Sequence, residues 1–143
     1  MTMNFNHPYN NQGSIERLYR DYLKYDTLYI AFDFDNTIWD FDNAKANYSD
    51  NIEFAHKNVI DILKKCKKHG FKLILWTSCP KIEDEITKND ICKSWGIDPD
   101  YINWSPLSPG ATKPHFSLLL DDRAGLESAM YILDELFKRI ENK

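Results

Sequence analysis

The chain has 143 residues, a length that size scaling assigns to one domain around one core, and so to one site. Its net charge of −4, with 18 basic and 22 acidic residues scattered along it, argues against extended nucleic-acid binding through a broad cationic face. Cys66, Cys79 and Cys92 stand far apart with no Cys-x-x-Cys pair, which speaks against a disulfide framework or a zinc site and for reduced thiols in a cytoplasmic protein.

In chain order, residues 1–13 are Asn-rich without periodicity and predict a flexible tail; residues 14–143 predict a single domain. The start lacks the apolar core of a signal peptide, and no later run approaches the roughly 18 apolar residues of a membrane span. Ser14 is placed to cap a helix whose apolar face is Ile15, Leu18, Tyr19, Tyr22 and Leu23. A continuous apolar run, Leu28 to Phe34, predicts a buried parallel strand that ends at Asp33 and Asp35, followed by Thr37. Carboxylates two apart on extended backbone lie on one side, so both converge beyond the strand's carboxyl end. Their repulsion there is relieved by a divalent cation or by a proton on one of them.

Residues 40–50 predict a loop over the strand ends, with a small hairpin and the aromatic side chains Trp39, Phe41 and Tyr48 as cover. Asp50-x-x-Glu53 reads as a capping box for a helix through Ala55, Val59, Ile62, Leu63 and Cys66 that His69-Gly70 ends. Phe71 to Trp76 predicts a second strand stopping at Thr77-Ser78. Pro80 suits the first turn of a helix reaching Trp95-Gly96, with an apolar period that drifts near Asn89-Asp90. Tyr101 to Trp104 predicts a short third strand and residues 105–112 a loop. Lys113 follows, then a fourth strand, Phe116 to Leu120, ending at Asp121-Asp122. A closing helix carries Leu126, Ala129, Met130, Leu133, Phe137 and Ile140 on one face.

Strands and helices in alternation predict an α/β fold: a three-layer, Rossmann-like parallel sheet with helices on both faces. Right-handed crossovers bring the strands' carboxyl ends to one edge, where Asp33/Asp35, Thr77/Ser78, Lys113 and Asp121/Asp122 meet. A lone Asp or Thr at a strand end is ordinarily a turn residue and a lone loop Lys is ordinarily solvated. Their coincidence at corresponding positions is what points to a site. The four histidines show no metal-ligand spacing; His115, near Lys113, is a candidate for substrate contact. Arg123 reads as a surface residue of the following turn.

Asp33-Phe34-Asp35-Asn36-Thr37 matches the Asp-x-Asp-x-Thr signature of the haloacid dehalogenase (HAD) superfamily, and the resemblance extends from about Leu28 to Ile140. It implies that Asp33 is the nucleophile, Asp35 the general acid/base and Thr37 a hydroxyl supporting the loop. It further implies that Thr77 and Ser78 bind the substrate phosphate and that Lys113 neutralises it. The same resemblance implies a Mg²⁺ cofactor held by Asp33, Asp121 or Asp122, and the backbone carbonyl of Asp35. Seven residues separate Lys113 from Asp121, where many members insert a helix; this resembles a compact, capless branch seen in small bacterial and phage proteins.

The implied activity is hydrolysis of a phosphomonoester through an aspartyl phosphate. The alternative is a catalytically weak protein of the same fold that binds phosphate or regulates. A receiver domain has its acidic pair early and its acceptor Asp later, the reverse of this order. A cysteine phosphatase built on Cys79 needs an arginine six residues on, where Glu85 stands. The intervals 38–51 and 78–112 are too short for a cap with its own core. An open site facing a phosphorylated substrate is therefore expected, with no membrane partner.

Overall fold

Four apolar runs become four parallel strands in the computed structural model, which describes residues 10–79, 81–108 and 115–142. They are β1 (Tyr29–Phe32), β2 (Lys72–Leu75), β3 (Tyr101–Ile102) and β4 (Leu118–Leu120), in the order β3-β2-β1-β4. The helices are α1 (Asn11–Tyr25), α2 (Phe41–Ala44), α3 (Lys57–Lys68), α4 (Ile82–Ser94) and α5 (Leu126–Glu141). The sheet is the middle of a three-layer α/β arrangement, and the described residues form no separate cap domain.

The register explains the core. Ile30 pairs with Leu73, and Phe32 with both Leu75 and Leu120, so these side chains share one side of the sheet. They join a single apolar cluster with Ile15 and Leu18 of α1, Val59, Leu63 and Cys66 of α3, Ile91 and Cys92 of α4, and Leu133 and Phe137 of α5. Ala31 and Ile74, of opposite parity, are buried outside that cluster, and the rings of Tyr29 and Tyr101 stack 6.4 Å apart across β2. Burial pushes the thiols of Cys66 and Cys92 up to about 12, so both act as small apolar fillers.

Topology places the ligand crevice. The chain steps from β1 to β2 to β3 in one direction, then returns to lay β4 on the other side of β1. The direction of winding reverses at β1, and ligands of open α/β sheets bind at the carboxyl ends beside such a reversal. The Asp33 to Asp35 segment leaves β1 there, with the ends of β2 and β4 on either side.

Several boundaries differ from the sequence expectation. Helix α1 starts at Asn11, because Asn10 accepts from the Gly13 amide at 2.8 Å and caps as well as Ser14 would; the earlier part of the expected tail, residues 1–9, lies outside the described residues. Asp50 and Glu53 form no capping box for α3. Asn51 instead caps a short 3-10 turn, Ile52–Phe54, and α3 begins at Lys57. The expected hairpin is reduced to one antiparallel bridge, Trp39 with Ala55. The expected start of α4 at Pro80 lies outside the described residues.

Candidate active site

After β1 the backbone makes one tight turn. The amides of Thr37, Ile38 and Trp39 all donate to the Phe34 carbonyl, at 3.3, 3.0 and 3.0 Å. Asn36 takes φ 60°, a left-handed conformation that Asn tolerates better than most side chains, and its amide donates to the Trp39 carbonyl. This turn sends the chain back over the end of the core. Trp39 is consequently no cover for the site: it is fully buried, stacked on Phe34 and Trp95 with both centroids 6.1 Å away, and its indole N–H donates to the Lys45 carbonyl.

One cleft of ≈ 360 Å³ is lined by Asp33, Asp35, Asn36, Phe41, Thr77, Ser78, Asp121, Asp122 and Arg123. Six residues singled out in the sequence thus come together from the ends of β1, β2 and β4; Lys113 lies outside the described residues. Carboxylate oxygens of Asp33, Asp121 and Asp122 all fall within 4.8 Å of one another. These three hard oxygen donors are of the kind that would hold a divalent cation such as Mg²⁺. The electrostatics ask for one. Burial first, then the charges of Asp121, Asp122 and Asp35, raise Asp33 from 3.8 to about 7 against the stabilising Phe34 amide.

Local hydrogen bonds fix these groups. The buried Thr37 hydroxyl accepts from the Asp122 amide at 3.0 Å and lies 3.3 Å from the Asp122 carboxylate, which ties the β1 turn to the β4 turn. The Asp121 carboxylate accepts from the Arg123 amide at 2.9 Å, and the exposed Arg123 stands on the rim. Beyond β2, the Asn103 side chain grips the Thr77 peptide from both sides: Oδ1 accepts from the amide and Nδ2 donates to the carbonyl, both at 2.8 Å.

Two further residues complete the site. Lys88 of α4 is only 2% exposed, yet its ammonium donates to the Thr77 hydroxyl at 2.9 Å and pairs with the Asp35 carboxylate at 3.3 Å. It also lies over the rings of Phe34 and Tyr48, 5.4 and 5.1 Å from their centroids. Tyr48, expected only as cover, donates its hydroxyl to Asp35, 2.9 and 3.1 Å from the two oxygens. Lys88 is missed by sequence reasoning because it stands in a weakly periodic helix. The stripe Lys88, Ile91, Cys92, Trp95 has helical spacing, however, and puts the lysine on the inward face. His115 is not at this site: it lines another cleft with Asp21, Tyr25, Thr27 and Tyr29, at the amino-terminal end of β1.

No family model matches the chain, and no curated protein matches it. It is similar in fold to a solved structure of a conserved protein coded by a locus of Bacteroides thetaiotaomicron. The two share 22% identity with a TM-score of 0.58, over 79% of this chain and 91% of that one. At that identity the likeness concerns the fold alone. The small parallel sheet with its Asp33, Asp121 and Asp122 cluster at the strand ends is consistent with a capless HAD-like fold.

Proposed function

We propose that this chain is a Mg²⁺-dependent phosphomonoester hydrolase of the HAD type that works through an aspartyl phosphate on Asp33. The observation that carries this reading is the meeting of Asp33, Thr77, Ser78, Asp121 and Asp122 around one cleft, with the Lys88 ammonium behind it. Asp33, Asp121 and Asp122 would hold the cation, which when bound offsets the charge of the phosphoryl group and of the carboxylates facing it.

A carboxylate approaches an anionic phosphoryl group only where charge is neutralised and the groups are aligned. Thr77 and Ser78 hold phosphoryl oxygens, Lys88 supplies a fixed positive charge beside Thr77, and Lys113, in the role the sequence resemblance gives it, neutralises the phosphate. An Asp33 oxygen forms a bond to phosphorus as the bond to the leaving oxygen breaks, and Asp35 gives that oxygen its proton. In the second step Asp35 takes a proton from water as the water oxygen attacks phosphorus and frees Asp33. Substrate is a phosphomonoester of a class the open cleft leaves broad.

The test is turnover of an aryl phosphate by the wild type and by Asp33→Asn, each with Mg²⁺ and with chelator. Turnover that needs both Mg²⁺ and the Asp33 carboxylate is expected. Undiminished turnover by Asp33→Asn, freed of contaminating phosphatase, would overturn the proposal.

A further inference from the structure

Asp35 carries two demands that no other side chain of the cleft shares. As the acid/base of a phosphomonoester hydrolase, the function on which this inference rests, it must present a proton in one step and accept one in the next, from the same place. Its surroundings differ in what they offer. Lys88 is a donor only, so it binds Asp35 well as a carboxylate and poorly as a carboxylic acid. The Tyr48 hydroxyl is a neutral donor, which a carboxylate oxygen and the carbonyl oxygen of a carboxylic acid both accept, and it sits between the two Asp35 oxygens at 2.9 and 3.1 Å.

We propose that Tyr48 is a positioning residue for Asp35: its hydroxyl donates to an Asp35 oxygen in both states, a carboxylate oxygen or the carbonyl oxygen of the carboxylic acid, which holds the group in one orientation and leaves its other oxygen to carry the proton through both steps. The tyrosine is itself well fixed. Its ring meets Phe34 edge-on at 5.6 Å, packs against Trp39 at 5.4 Å and lies under the Lys88 ammonium, so its hydroxyl has little freedom to wander. Tyr48 comes from the segment between α2 and α3, whereas Asp35 follows β1. The contact therefore also sets the acid/base by a part of the chain that is not on the sheet.

Tyr48→Phe keeps the ring and deletes only the hydroxyl. The informative readout is the dependence of kcat/KM on leaving group, because an alkyl phosphate needs its leaving oxygen protonated and 4-nitrophenyl phosphate does not. The ratio of kcat/KM for the alkyl ester to that for the nitrophenyl ester is expected to fall about tenfold in Tyr48→Phe. In an Asp35→Asn background, adding Tyr48→Phe is expected to leave the ratio where Asp35→Asn alone sets it. An unchanged ratio in Tyr48→Phe, with the wild type active on both esters, would overturn this inference and leave the proposed function standing. So would a further fall of the ratio in the double variant, since Tyr48 would then act by a route other than Asp35. A wild type inactive on both esters would instead overturn the proposed function, and this inference with it.

Discussion

Asp33 reaches about 7 because it is half-buried beside three other carboxylates, and that value has two consequences of definite sign. Between its ordinary 3.8 and about 7 the folded, metal-free protein holds a proton that the unfolded chain has released. Stability from this group is thus complete at low pH and is lost as pH rises through 7. Mg²⁺ must displace that proton, so its affinity should rise as pH goes from 6 to 8, with up to one proton released per ion; calorimetry in two buffers of different ionisation heat measures the release. Binding with no proton release at pH 6 would contradict the assignment. Lys88 gives a second prediction at this scale. Removing one partner of an ion pair leaves the other charge uncompensated and destabilises, and the loss of a preorganised charge slows chemistry by about 100-fold or more. Lys88→Met, which leaves Asp35 unpaired among the other carboxylates, should therefore melt below wild type, and its kcat on an aryl phosphate, measured where it is still folded, should fall by at least that factor.

Between elements, the site depends on two cross-connections with very different visibility. Thr37 links the turn after β1 to the turn after β4, and Thr37→Val keeps the shape while leaving the Asp122 amide without its acceptor. A loss of about 1–3 kcal/mol in urea unfolding is expected. Weaker Mg²⁺ binding should accompany it, because Asp122 is then free to turn; unchanged values of both would count against the link. Thr37 was legible because it stands at a fixed offset from the Asp pair. Asn103 was not, since it lies inside a stretch with the pattern of a strand, and its grip on Thr77 needs φ 49° at Asn103 and a side chain acting where a neighbouring strand's peptide would. The strands, α3 and α5 were legible for a related reason: continuous apolar runs and strong helical periods report burial directly. Helix α4 was harder, because its inward stripe contains a lysine where an apolar residue is the rule. Cap boundaries failed where two competent capping residues lay within a turn of each other, as with Asn10 and Ser14.

At the scale of the whole molecule, the sheet's winding brings three strand ends to one open cleft, and the described residues form no cap domain over it. The segment after β1 supplies α2 and a 3-10 turn, and the segment after β2 supplies α4 and β3, so neither carries a second core. An open cleft should accept phosphomonoesters of varied size. In a panel of nucleotides, sugar phosphates, phosphopeptides and phosphorylated oligonucleotides, kcat/KM is expected to fall on several classes within about tenfold, since discrimination needs contacts that close around the leaving group; activity confined to one small ester in a demonstrated monomer would contradict this. The central claim is covalent, and trapping tests it most directly. Acid quenching of the wild-type protein during turnover of a phosphomonoester labelled on phosphorus, followed by peptide mapping, should place the label on Asp33, with more label in Asp35→Asn and none in Asp33→Asn. Steady turnover with no label on Asp33 in either the wild type or Asp35→Asn would contradict the account.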